Sequence, residues 1–386
     1  MHQVIKIGTL HPASGIYPGM GRNFENGIKL AILLNKEINE NFEFIFLKEY
    51  VKQGDHKTVA EEILKLSDYE NVDLICGIIN ARVLQLIIDN TGNKKIPLLA
   101  NNLGEFIPKK EIENEYITGN SLNMWQSQWA MGQWAQKQYG GDPLMCVSVY
   151  DGGYLLHNCF QLGALAAGAS TVKTGLLHLQ PGIVDTSPLI EQIKKEKPSH
   201  VHAVLCGIDA KDFMKRFENS GLKAKVPLTV SPFMVEDNLM DEIKNMIEGI
   251  PNAITWTLRL PNKENETFKA AYLKEFHNLP DVFSLLGYES GLAVCNALQS
   301  LNGEKISRQN IAGSLKEVSI TGPRGNFKLG FQNQNFDALI RKPVLVNNHY
   351  ENSIFSTEKT VDTTNPHIIS SAKNNVSGWL NPYLCM

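Results

Sequence analysis

The sequence predicts an α/β protein made of two doubly wound parallel-sheet lobes. Three observations carry this expectation. Short apolar runs alternate with amphipathic helical patterns. The runs are nearly continuous, as strands covered on both faces are. The alternation restarts near residue 120. A chain of 386 residues is long enough to bury at least two cores.

The first half reads as strand Val4–Thr9, a helix near Gly21–Asn39, strand Phe42–Tyr50 and a helix near His56–Asp68. Strand Val72–Ile79, a helix near Ala81–Asn90 and strand Ile96–Ala100 follow. The second unit opens with a helix over Met124–Tyr139, strand Leu144–Tyr150, a helix over Gly153–Ala167 ended by Gly168, and strand Thr171–Leu177. Ser187 suits an N-cap and Pro188 the first helical position of a helix running to Lys197. Val201–Cys206, Asp209–Ser220 and Pro227–Val230 continue the alternation, and Ala253–Leu258 reads as a further strand. Helices are expected near Glu264–Asn278, Phe283–Leu301 and Arg308–Lys316, with a last strand over Ala338–Val346. Residues 347–386 are polar with scattered apolar residues and form a C-terminal extension whose order the pattern does not set.

Composition narrows the function. Lys and Arg total 37, Asp and Glu 40, for a net charge of -3, without the basic excess of a nucleic-acid binder. No apolar run approaches the ~18 residues of a membrane helix; Leu285–Leu298 is interrupted by Glu289 and Asn296. The first residues, Met1-His2-Gln3, lack a basic or apolar leader pattern. That leaves a cytosolic protein or the mature part of an exported one. Cys76, Cys146 and Cys206 sit in apolar strand-like runs, where a free thiol packs as a small hydrophobe.

Catalytic signatures are not intact. Gly287-Tyr288-Glu289-Ser290-Gly291 has its serine one place late for a nucleophile elbow, and Gly19-Met20-Gly21 lacks the third glycine of a dinucleotide loop because Phe24 stands there. His200 and His202 share a strand face with Cys206 further on. A metal pair and two histidines satisfied in the core are the alternatives. The expectation is a non-enzyme without cofactor or metal.

Four segments resemble type I periplasmic solute-binding proteins, close to the branched-chain amino acid receptors of ABC importers. They are Ile5-Lys6-Ile7-Gly8 with Ser14-Gly15 and Gly21 through Asn26-Gly27; Asp185-Thr186-Ser187-Pro188-Leu189-Ile190 through Pro198 and Val201; Gly287-Tyr288-Glu289; and Thr321-Gly322-Pro323-Arg324-Gly325-Asn326-Phe327. The resemblance spans about residues 4 to 345. It implies two lobes joined by three crossovers, lobe one as 1–119 plus 252–325 and lobe two as 120–251 plus 326–386. It also implies hinge closure on a small-molecule ligand, an ABC permease or sensor as partner, and a periplasmic or extracellular location. A cytosolic sensor on the same fold is the alternative.

By the same resemblance, the ligand is held at strand-end turns. In lobe one these carry Asn80, Ala81, Asn101 and Asn102, where the family usually has Ser or Thr. An amide offers both donor and acceptor to a ligand, or else caps the next helix or closes an Asx turn. Arg82 is either a bidentate carboxylate partner or a solvated first-turn residue. In lobe two, Tyr150-Asp151-Gly152-Gly153-Tyr154 places Tyr154 toward the ligand, and Asp209 meets an ammonium or caps a helix. Phe233 stands near the position where amino acid receptors carry a Glu, which removes the usual ammonium partner unless Asp209 or Glu236 replaces it. Trp125, with Trp129 four residues on, belongs either to the cleft or to the core, and Tyr17 is a further wall. Tyr17, Trp125, Tyr154 and Phe233 together would give an aromatic pocket for a flat or apolar-bodied solute with one polar end.

Overall fold

A computed structural model describes residues 3–107, 114–149, 154–178, 183–236, 242–301, 304–332, 334–362, 364–368 and 370. The first sheet has the order β2-β1-β3-β4-β5, all parallel: β1 Gln3–His11, β2 Phe42–Tyr50, β3 Leu74–Ile78, β4 Leu98–Asn102 and β5 Ile117–Ser121. The second has β7-β6-β8-β9 in parallel: β6 Leu144–Ser148, β7 Lys173–Leu177, β8 Val201–Val204 and β9 Leu228–Val230. The amide of Val230 donates to Pro251 O, 3.0 Å, and so joins this sheet to an antiparallel group of β10 Asn252–Ile254, β13 Ala338–Val346 and β14 His349–Glu358. The remaining strands, β11 Ser319–Gly322 and β12 Gly325–Lys328, form a hairpin.

The strands expected from apolar runs are present, with two informative differences. Ala253–Leu258 does not run as one strand. Only Asn252–Ile254 pairs with β13, and Thr255 and Trp256 then leave for the first lobe, where the Trp256 indole N–H donates to Asn265 Oδ1 at 2.8 Å. The expected boundary at 252 thus falls at the start of a strand that stays with the second sheet. In the C-terminal extension, β14 pairs along the whole of β13. It is an edge strand with a polar face, so it shows no apolar run.

The helices are α1 Met20–Leu34, α2 Lys36–Asn41, α3 His56–Leu64, α4 Ala81–Lys94, α5 Met124–Tyr139, α6 Leu156–Ala166, α7 Ser187–Glu196, α8 Gly207–Asn219, α9 Lys263–Phe276, α10 Val282–Ser300 and α11 Arg308–Glu317. The single helix expected over 21–39 is broken at Asn35. This residue takes an extended conformation, and its side chain accepts from Ile38 N–H to start α2. Asp281 and Ser284 form a capping box that opens α10. Cys206 corrects an expectation: it is disulfide-bonded, whereas Cys76, Cys146, Cys159 and Cys295 are buried free thiols.

Each lobe contains a helix pair packed through glycine. A Cβ on Gly27 of α1 would overlap the Ser284 carbonyl of α10, and one on Gly287 would overlap Phe24 O. In the second lobe Gly132 of α5 meets Phe160 O, and Gly163 of α6 meets Trp129 O. Backbone meets backbone, so no rotamer change relieves an added methyl.

The lobes are joined by three crossovers: after β5, after β10, and between β12 and β13. They are tied to one another. Thr255 Oγ1 donates to Leu122 O at 2.8 Å, Ser121 N–H donates to Gln334 Oε1 at 3.0 Å, and Asn123 Nδ2 donates to Gln334 O at 2.9 Å. Beside them Arg324 grips Glu289 bidentately, at 2.8 and 2.6 Å, with both side chains fully buried. The same guanidinium donates to Ser121 O at 2.7 Å and Asn120 Oδ1 at 2.9 Å, and lies over the rings of Phe327 and Phe336.

Three outcomes follow from this packing. Gly287→Ala and Gly132→Ala should each lower stability by about 1–3 kcal/mol in urea unfolding. Gly313→Ala, in α11 with open space around it, should be neutral or stabilising by up to about 1 kcal/mol. Arg324→Met should cost about 3–5 kcal/mol by stranding Glu289, and the double replacement with Glu289→Met should recover most of that loss.

Candidate functional site

The crevice between the lobes is assembled from strand-end turns. Tyr17 sits on the β1–α1 loop, its N–H donating to Ser14 Oγ at 3.1 Å. Its ring lies edge-on to Phe233, centroids 5.4 Å apart, and tilted against Phe283, also at 5.4 Å. Phe233 is held on a 3₁₀ turn, Pro232–Met234, whose proline opens the turn after β9. Across the crevice Phe106, beyond β4, lies edge-on to Tyr154 at 6.0 Å. Two aromatic pairs therefore bridge the lobes. Nearby, Leu155 N–H donates across the lobes to Glu105 O at 2.9 Å.

These groups enclose an inner niche of about 50 Å³ lined by Tyr17, Leu103, Glu105, Met124, Tyr154, Leu156, Val204, Leu205, Cys206, Ser231 and Phe233. Tyr17 and Phe233 also border an outer cavity of about 1000 Å³, which reaches Trp256, Phe283 and the charged mouth. At that mouth Arg259 pairs with Glu351, Arg341 with Glu236, and Lys269 with Glu266. The niche walls are almost wholly apolar, with Ser231 and Glu105 as polar exceptions. Glu105 is 3% exposed, and its Oε1 accepts from Asn80 Nδ2 at 2.5 Å.

Of the residues expected at the site, Tyr17, Tyr154 and Phe233 line the niche. The others lie around it. Asn80 Oδ1 accepts from Arg82 N–H at the start of α4, while its amide nitrogen holds Glu105. Ala81 is buried at the first position of α4. Asn101 is fully buried, accepting from Ser290 Oγ at 2.9 Å and donating to Leu99 O. Asn102 Oδ1 accepts from Gly104 N–H and Ser121 Oγ. Trp125 is fully buried in a core cluster with Leu155 and Phe331. Asp209 lies in the first turn of α8, where Cys206 holds the cap position, and burial followed by Asp212 raises its carboxyl above the usual range. Arg82 lies 5.7 Å from the Phe106 ring, and burial lowers its guanidinium from the ordinary value. Glu236 is committed to Arg341. Tyr150-Asp151-Gly152-Gly153 lie outside the described residues.

Sequence reasoning missed Glu105. The available signal was an acid directly after Gly104, in the turn that follows β4. His200 and His202 lie inside the second lobe. His202 stacks on Phe160 with centroids 3.8 Å apart, and its ring nitrogens meet Thr229 Oγ1 and Gln128 Oε1, both at 2.9 Å. Burial, then the neighbouring His200, pushes its pKa down to about 3. No group of three metal-ligating side chains occurs among the described residues, nor is any described helix long and apolar enough to cross a membrane.

Two hinged α/β lobes facing each other across a small apolar niche define a receptor architecture. The sequence pattern of the family described as "Periplasmic binding protein" matches residues 4–338, and the chain belongs to that family. Over 330 residues it is 22% identical to a Leu/Ile/Val-binding protein homolog of Brucella melitensis, covering 83% of this chain and 82% of the relative. Its fold is similar to that of an ABC transporter substrate-binding protein from Sphaerobacter thermophilus (TM-score 0.81, 20% identity, 94% and 99% of the chains covered). It is also similar to a solute-binding protein from R. palustris in complex with benzoate (TM-score 0.76, 21% identity, 93% and 98% covered).

The buried imidazole sets a pH dependence. His202 stays neutral in the fold, while the unfolded chain takes up a proton near pH 6.5. Its contribution is therefore present above pH 6.5 and lost as pH falls toward 3, by about 3 kcal/mol between pH 7 and pH 4. Urea unfolding of wild type and His202→Gln should show the variant losing less stability over that interval.

Proposed function

We propose that the chain is the extracytoplasmic receptor of an ABC importer, closing its lobes on a small solute with a flat or branched apolar body. The observation that carries this reading is the pair of inter-lobe aromatic contacts, Tyr17 on Phe233 and Phe106 on Tyr154, beside a niche whose Tyr17 and Phe233 also border a ligand-sized outer cavity. The lobe boundaries fall at the crossovers after β5, after β10 and before β13, which act as the hinge.

The relatives support the class of solute. One is a homolog of branched-chain amino acid receptors, and another holds benzoate; both names describe apolar-bodied molecules of modest size. In this chain Tyr17, Tyr154 and Phe233 supply walls against which such a body packs. Asn80 acts behind the wall by orienting Glu105. Ala81, Asn101 and Asn102 support the lobe-one rim, Trp125 supports the start of α5, and Asp209 supports the α8 turn. No chemical step is assigned to the site; the solute leaves as it arrived.

Thermal shift and titration calorimetry with amino acids, aromatic acids, amines and amides should yield at least one saturable 1:1 ligand. A solute present at about 100 times its Kd should stabilise the fold by about 2.7 kcal/mol. Tyr17→Ala and Phe233→Ala should each weaken that ligand tenfold or more. A panel without any saturable shift, or a Phe233→Ala protein that binds as wild type does, would contradict the reading.

A further inference from the structure

Resting on the receptor reading above, we infer that a disulfide between Cys206 and Cys385 fastens the C-terminal segment, 371–386, to the wall of the inner niche as a tethered lid. The chain has six cysteines, at 76, 146, 159, 206, 295 and 385. Cys76, Cys146, Cys159 and Cys295 are buried free thiols, and Cys206 is disulfide-bonded. Within one chain this leaves Cys385, outside the described residues, as its partner. Cys206 lines the niche with Tyr154, Leu156, Val204 and Phe233, at the cap position before α8. The bond is therefore made at the crevice and not on a remote surface.

The last described residues approach the same crevice. Gln126 Nε2, in the first turn of α5, donates to Val361 O at 2.7 Å. Ile368, 3% exposed, belongs to the core cluster that holds Phe106, Trp125 and Leu155 and against which Tyr154 packs. From Ile368 to Cys385 the chain advances about 17 residues, a reach of up to about 55–60 Å when extended, so the bond is within range. The segment is mostly polar over 371–378 and apolar at its end, with Trp379, Leu380, Tyr383, Leu384 and Met386.

Disulfide-linked Cα atoms lie roughly 4.4–6.8 Å apart and consecutive Cα atoms about 3.8 Å, so Leu384 and Met386 are held within about 11 Å of the Cys206 Cα whatever path the segment takes. The niche walls are apolar. A tether raises the local concentration of apolar side chains to about the millimolar range, so weak docking is enough to cover such a wall. An extracytoplasmic setting keeps the bond oxidised. A solute then enters or leaves the niche by displacing this segment.

Two measurements test this, and neither adds a solute. The protein is oxidised with a glutathione redox pair, its free thiols are alkylated, and it is digested without reductant for peptide mass mapping. A linked peptide pair containing Cys206 and Cys385, from protein of monomer mass, is expected. Cys206 found alkylated, joined to another cysteine or joined to a second chain overturns the inference. Hydrogen exchange of oxidised wild type and Cys385→Ser then reads the cover. Amides of 204–209 and 231–234 should exchange at least about threefold faster in the variant, and in wild type reduced with a water-soluble phosphine. Amides of 24–27, in the α1–α10 contact, should be unchanged. Equal exchange at the niche, or an acceleration shared by 24–27, overturns the lid, because the cross-link then only stabilises the fold. Since no solute takes part, either failure leaves the receptor reading standing.

Discussion

The fully buried Arg324–Glu289 pair is the constraint around which the two lobes are arranged. Glu289 comes from the long helix of lobe one. Arg324 comes from the hairpin that precedes the last crossover, and its guanidinium also reaches Ser121 O and Asn120 at the end of β5, where the first crossover begins. Removing two charges from water is costly and is repaid only by near-complete hydrogen bonding. Here four donor contacts and two flanking rings provide it. Such a pair is costly to break by removing one partner, and it ties together the segments that leave lobe one. Gln334 and Thr255 extend the same register to the other crossovers.

The lobes also meet across the crevice. The contacts there are of a different kind. Tyr17–Phe233 and Phe106–Tyr154 are edge-on aromatic pairs, worth about 0.5–1.5 kcal/mol each beyond their burial. Arg259–Glu351 lies at the cavity mouth with both side chains more than a third exposed, where a salt bridge adds about 0–1 kcal/mol. Weak contacts across the crevice suit a protein that opens and closes around a solute, since a solute can shift that equilibrium only by its own difference in affinity for the two states.

Much of the architecture was legible in the sequence because strands buried on both faces leave unbroken apolar runs. Val201–Val204 and Leu74–Ile78 are examples. Elements without that signature were not legible. Ile117-Thr118-Gly119-Asn120-Ser121 forms β5 through its place beside β4 and the hinge, not through hydrophobicity, and β14 is a polar edge strand. Of the residues lining the niche, Tyr17, Tyr154 and Phe233 were legible because they follow strand ends, where parallel sheets present residues to a crevice. The amides drew attention at the lobe-one turns, yet Asn101 and Asn102 turn inward to Ser290, Ser121 and Gly104. Glu105, a few residues on, lines the niche instead. That difference depends on the positive φ of Gly104 and on a contact from the other lobe, and neither is visible in one dimension.

The central claim is that a single solute is held between both lobes at the aromatic niche. A crystal structure of the protein with its tightest-binding solute tests this most directly. The account requires solute density in contact with Tyr17 of one lobe and with Tyr154 and Phe233 of the other. Density confined to one lobe, or lying outside the crevice while the niche stays closed, would contradict it.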